Sequence, residues 1–149
     1  MTCLPAKTIH DDGSVTNAVS LIRAEGLFAS VPYAYAATAP KDARLVFLAG
    51  ACPLDVDGHT VAVGDFVGQA ATCVANMKTA LAAAGAGMAD VIFVRVLVAS
   101  AARSDLGMVW EVVHDAFGSH DVPGTLMGVT VLGWEDQLVE VEVVAALVD

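Results

Sequence analysis

Glu140 and Glu142 stand in the run Val139-Glu-Val-Glu-Val143, and their type and spacing are where chemistry could sit. Side chains on a strand change face at every residue, so both carboxylates share one face and the valines share the other. Two like charges on one face of a valine-rich strand need open water or a task. The chemistry such a pair suggests is that of a paired-carboxylate site. A solvated strand carboxylate without a task fits the same residues.

Other reactive side chains form weaker patterns. Cys3, Cys52 and Cys73 are an odd set without CxxC spacing, so neither zinc nor a disulfide framework is expected. Cys52 has no base near it in sequence and fits a small buried hydrophobe better than a nucleophile. His10, His59, His114 and His120 have no metal-ligand spacing. Gly85-Ala-Gly87 lacks the Lys-Ser/Thr of a phosphate loop and reads as a helix end. No metal and no cofactor are expected.

Composition narrows the classes. Seven basic residues face seventeen acidic ones, a net charge of −10, which opposes sequence-independent binding of nucleic acid. Hydrophobic residues make up 56% of the 149 and charged ones 16%, yet no apolar run is long enough to span a bilayer. Apolar surface hidden between subunits reconciles the two, so a homo-oligomer is expected and a membrane partner is not. The first residues lack an apolar core of signal-peptide length, and a reducing cytoplasm is the expected location.

The elements that must position these groups follow from periodicity. Residues 1–17 are expected to form an N-terminal arm, and 18–149 a single domain. Strands are expected over Val19–Leu27, Tyr33–Thr38 and Leu45–Ala49, the last buried on both faces. Between Asp65 and Ala84 the apolar residues Phe66, Ala70, Cys73, Met77, Leu81 and Ala84 recur every three or four positions, a helical stripe. Asp65 should cap its start and Gly85 its end. Ala89–Ala99 is a β-branched strand, and Ser104 or Asp105 should cap a second helix burying Leu106, Val109, Val113 and Phe117. A terminal hairpin, Thr125–Leu132 with Gln137–Leu147, should turn through Gly133-Trp-Glu-Asp136. The order β-β-β-α-β-α-β-β predicts an α+β fold, a mixed sheet covered by two helices on one face. Its other face would need a partner.

Several local marks occur together in that order: Val31-Pro-Tyr33, Leu48-Ala-Gly-Ala-Cys-Pro53, Gln69-Ala with Asn76-Met, and Ala82-Ala-Ala-Gly85. Val96-Leu-Val98, Asp115-Ala-Phe117, Val122-Pro123 and Val139-Glu-Val-Glu-Val143 complete the set. With these the chain resembles the Rid/YjgF family, small imine/enamine deaminases also called endoribonuclease L-PSP or translation inhibitors in older names. The resemblance spans about Val31 to Leu147. It implies the chorismate-mutase-like trimeric fold, with a ligand cleft at each subunit interface. It also makes Glu140 the residue that positions the hydrolytic water. Tyr33 matches a cleft-lining tyrosine that could orient a ligand through its hydroxyl or simply pack. Gly50 matches a glycine whose backbone approaches the ligand, or it is a strand-end bulge. Backbone groups of Gly50 and Cys52 would hold a polar atom. Trp110 stands where many relatives carry a polar residue, and either narrows the cleft or joins the core. The arginine that grips the substrate carboxylate in the active deaminases falls at Thr125, whose hydroxyl carries no charge. Arg95 and Arg103 lie elsewhere in the pattern.

The expected function is therefore hydrolysis of a small reactive imine or enamine, of the 2-iminobutanoate/2-iminopropanoate kind, with altered substrate anchoring. The alternative is a non-catalytic trimer that binds a small ligand or a protein partner. An endoribonuclease or translation inhibitor follows only from the older family names and conflicts with the acidic charge. Glu142 has no role beyond its strand.

Overall fold

The structure, a computed structural model, describes residues 17–148. The expected N-terminal arm lies outside the described residues except for Asn17. The elements appear in the expected order: β1 (Ser20–Ile22), β2 (Ala36–Thr38), β3 (Arg44–Phe47), α1 (Phe66–Ala83), β4 (Val91–Val98), α2 (Arg103–Phe117), β5 (Gly124–Gly128) and β6 (Val139–Leu147). A short 3-10 turn, Met88–Asp90, leads into β4.

The helix ends show how local sequence sets the frame. The Asp65 carboxylate accepts from the Gly68 N–H at 3.0 Å, capping α1 as expected. Gly85, at φ +77°, follows the last helical turn in the left-handed conformation a helix exit favours. The cap expected for α2 is different. Ala102 occupies the cap position, and the Ser100 hydroxyl accepts from its N–H while donating to Asp105 at 2.6 Å. Neither Ser104 nor Asp105 is the cap, because Ser100 reaches the first turn from the loop.

The strands divide into two sheets. β1 and β2 pair antiparallel by themselves, and the mixed sheet has the order β3-β6-β4-β5. In it β6 runs antiparallel to both β3 and β4, and β5 runs parallel to β4. The expected terminal hairpin is thus corrected: β5 and β6 are separated by β4. The helix α2 carries the chain across so that β5 lies parallel to β4 at the edge, which a tight turn could not do.

Both helices cover one face. Val94, Val96 and Val98 of β4 and Val139, Val141 and Val143 of β6 are buried with Met77, Leu81, Val109 and Val113 of the helices. Burial of a Val or Leu side chain contributes about 1.5–3 kcal/mol, so this layer stabilises the sheet that carries the site. β3 is also corrected. It is an edge strand with Leu45 51% and Phe47 73% exposed, not a strand buried on both faces. Phe47, Phe93, Leu97 and Val144 lie on the side of the sheet that no helix covers.

Candidate functional site

The alternation along β6 does what its spacing predicts. Its valines at 139, 141 and 143 are buried, and Glu140 and Glu142 lie half-buried on the opposite face. Strand register decides their neighbours. Glu142 stands directly across from Arg95 of β4, and Arg95 stands across from Thr125 of β5. One step along, Glu140 stands across from Leu97, and Leu97 from Met127. Residues paired in register project on one face, so the open side of the sheet carries two rows, Glu142–Arg95–Thr125 and Glu140–Leu97–Met127.

Glu140 is held by its surroundings. The buried Gln137 side chain donates to its Oε2 at 3.0 Å, and the Cys52 thiol lies 3.6 Å from the same oxygen. Gln137 is fixed in turn, accepting from the Trp134 N–H and donating to the Val139 carbonyl. A Cβ on Gly50 would lie 1.9 Å from Glu140 Oε1, so only glycine leaves room for the carboxylate. The closeness expected between Gly50 and a ligand is therefore taken up by Glu140 itself. Burial, and then the negative charge of Glu140, push the Cys52 thiol above its ordinary pKa, which keeps it protonated and a poor nucleophile.

Two amides of α1 hold the loops on either side of this carboxylate. Gln69 donates to the Asp136 carbonyl at 2.9 Å and accepts from the Leu138 N–H at 2.7 Å, fixing the turn that carries Gln137. Asn76 donates to the carbonyls of Cys52 and Leu54 at 2.8 and 2.9 Å, fixing the loop that carries Gly50. The Cys52 carbonyl is thus already engaged within the chain. Gln137 went unnoticed in the sequence; a glutamine beside a Gly-Trp-Glu-Asp turn looks solvated until the turn folds back over the sheet.

Tyr33, Trp110 and Thr125 meet at a second place. With Pro32, Gly124 and Leu126 they line a pocket of about 470 Å³ at the β5 edge. The Trp110 ring meets Tyr33 edge-on at 6.3 Å, and Tyr33 meets Tyr35 in the same way at 6.1 Å. Trp110 thus both borders the pocket and packs against the core. Arg23 straps the Tyr33 loop down. Its guanidinium donates to the carbonyls of Val31 and Tyr33 and pairs with the Asp121 carboxylate, while the Ala34 N–H donates to the Asp121 carbonyl. A Cβ on Gly124 would lie 2.5 Å from the Val94 carbonyl oxygen, so glycine there lets β5 close on β4 and sets the Arg95–Thr125 register.

Within one chain the Glu140 group and the Thr125 pocket are separate. Glu140 and Thr125 lie on strands two apart, about 10 Å across the sheet. Asp55, Asp57 and His59 bring ligand-capable atoms within 4.8 Å of one another, but all are exposed and their geometry is that of a turn. The N–H groups of Asp57 and His59 donate to the Asp55 carboxylate and lower its pKa.

Residues 26–147 match the family model for endoribonuclease L-PSP. The chain belongs to this family. Solved structures agree on the fold. A Rid-family protein of unknown function from Yersinia pestis, YyfB, is 26% identical, with a TM-score of 0.81 over 87% of this chain and 99% of that one. A member of the YjgF/YER057c/UK114 family from Mycobacterium tuberculosis is 28% identical, with a TM-score of 0.58 over 87% and 99%. No curated protein matches the chain. The Rid/YjgF resemblance carried by the sequence marks is thus membership, and Gln69 and Asn76 have visible structural work in this member. Among the described residues no helix is long and apolar enough to cross a membrane.

Proposed function

We propose that this Rid-family chain hydrolyses a small reactive imine or enamine, with Glu140 positioning the attacking water. The observation that carries the proposal is the Glu140 carboxylate, held by Gln137 beside Cys52 in space that only Gly50 leaves open. Water adds to the carbon of the C=N bond, its proton passing to Glu140. That proton then reaches nitrogen to give the carbinolamine. The new hydroxyl gives up its proton to the nitrogen as the C–N bond breaks, and ammonia leaves behind a carbonyl compound. An enamine first tautomerises to the imine. Tyr33, Trp110 and Thr125 line the recognition side. Thr125 offers a hydroxyl where relatives place a charge, so the substrate is neutral or is anchored by another group.

We place this reaction in a homotrimer. Leu45, Phe47, Phe93 and Val144 leave apolar surface on the open side of the sheet. A neighbouring subunit that covered it would bring its own Thr125 pocket toward Glu140, closing the separation within one chain. The test is ammonia release from freshly generated 2-iminobutanoate or 2-aminoacrylate, together with the mass of the assembly in solution. A monomer, or no release above the uncatalysed rate, would count against the proposal.

The uncharged, aromatic pocket around Thr125 also favours a second reading, a trimer that binds a small ligand without turning it over. Titration with 2-oxobutanoate, benzoate and neutral analogues separates the two. Ribonuclease activity remains the weakest fit, with seven basic residues against seventeen acidic.

A further inference from the structure

We infer, resting on the reading of Glu140 as the residue that positions water, that Gln137 is a positioning residue that divides the work of the two carboxylate oxygens. Oε2 is the held oxygen, and Oε1, over Gly50, is the one that takes the proton from water. Gln137 is only 5% exposed, and both ends of its amide are engaged. Its oxygen accepts from the Trp134 N–H at 3.0 Å. Its nitrogen donates to the Val139 carbonyl at 3.1 Å and to Glu140 Oε2 at 3.0 Å. Turning the amide over would set its oxygen against two acceptors and its nitrogen against a donor, so these partners fix which end faces Glu140.

The backbone around Gln137 is fixed as well. Its N–H donates to the Trp134 carbonyl at 3.2 Å, while Gln69 of α1 binds the Asp136 carbonyl and the Leu138 N–H. A donor carried on a residue so constrained holds the carboxylate it meets. Cys52 is the weaker partner, because its one thiol hydrogen is shared between the Gly50 carbonyl at 3.5 Å and Oε2 at 3.6 Å. Oε1 accepts no hydrogen bond among the described residues, and no buried side-chain oxygen there lacks a partner, so Oε1 is open to water. A Cβ at position 50 would fall on this same oxygen, and glycine keeps its space clear. With donors already on Oε2, the arriving proton goes to Oε1. Of the three amide contacts, two tie the turn together and the third reaches the carboxylate.

The experiment measures kcat and KM for ammonia release from freshly generated 2-iminobutanoate, beside urea unfolding, in the full chain. Gln137→Met removes the donor and should lower kcat about tenfold or more while KM stays within about twofold. In the Glu140→Gln background the same change should alter kcat by less than about twofold, because the amide acts through that carboxylate. Equal losses in both backgrounds, or a larger loss in Cys52→Ala than in Gln137→Met, overturn the proposal. Exchanging the pair, Gln137→Glu with Glu140→Gln, again faces a donor with an acceptor but moves the carboxylate away from Gly50. Stability should recover relative to Gln137→Glu alone, and turnover should not. Should Gln137→Met fail to fold, the exchanged pair decides: turnover that returns, or stability that does not, refutes the positioning role. A wild type that releases no ammonia above the uncatalysed rate fails the hydrolase reading itself, whereas equal turnover by wild type and Gln137→Met sinks the positioning role alone.

Discussion

The Glu140 group and the Thr125 pocket are built on opposite plans. Around Glu140 the contacts are polar: Gln137 and Cys52 touch the carboxylate, Gly50 leaves it room, and the two α1 amides Gln69 and Asn76 fix the loops that carry them. Around Thr125 the walls are rings and short side chains, and the loop bearing Tyr33 is fastened from a distance by Arg23. A carboxylate that assists proton transfer must be placed closely, and fixed hydrogen bonds do that. A wall that selects a ligand can be larger, looser and apolar. Under the proposed function the two regions would divide the work between chemistry and recognition, and perturbing one should leave the signature of the other intact.

The sharpest separation comes from Glu140→Gln. Turnover should fall by about 100-fold or more, as for loss of a general base, while ligand affinity hardly moves. Steady-state kinetics beside calorimetry would show it; a matched loss of affinity would merge the two regions. Gly50→Ala should come next, because its methyl would displace the Glu140 carboxylate from Gln137 and Cys52. The Glu140 side chain can swing aside, so we expect a loss of only about 1 kcal/mol in urea unfolding but a clear drop in kcat. Adding Glu140→Ala should restore much of that stability, since the clash is between these two side chains. Additive losses would mean that Gly50 is required for its backbone instead.

On the recognition side, Trp110→Ala should raise KM more than it lowers kcat and cost about 1 kcal/mol for the Tyr33 ring contact on top of the burial the indole loses. A kcat effect as large as that of Glu140→Gln would contradict the division. The smallest expected effect is on Cys52. Burial and Glu140 raise its folded pKa above the unfolded value, so its stabilising contribution is full below the ordinary thiol range and declines as pH rises through the folded value. Glu140→Gln removes the negative neighbour, so iodoacetamide should label Cys52 faster at mildly alkaline pH than in wild type, measured by peptide mass. An unchanged labelling rate would show that the Glu140–Cys52 contact is not made in solution.

Much of this arrangement was legible in the sequence, and the gaps have physical causes. The face of β6 followed from a period of two, and α1 with its Asp65 cap followed from a period near four. The hairpin expectation failed because neighbouring strands in sequence are often partners, whereas here α2 carries the chain across and β4 takes the place between β5 and β6. Arg95 was visible as a residue but could not be placed, because its proximity to Thr125 and Glu142 exists only in the strand register. Gln137 was missed because its burial depends on a turn passing through Asp136 at φ +59°, which brings the amide under Trp134. The strand pattern alone made Glu140 and Glu142 equivalent, and only the family resemblance singled out Glu140. The structure sets one among hydrogen-bond donors over a glycine and pairs the other with an arginine.

The most direct measurement is ammonia release from freshly generated 2-iminobutanoate by wild type and by Glu140→Gln, both verified as folded. The account predicts release above the uncatalysed rate in wild type and its loss in the variant. Release that persists unchanged in Glu140→Gln would contradict it.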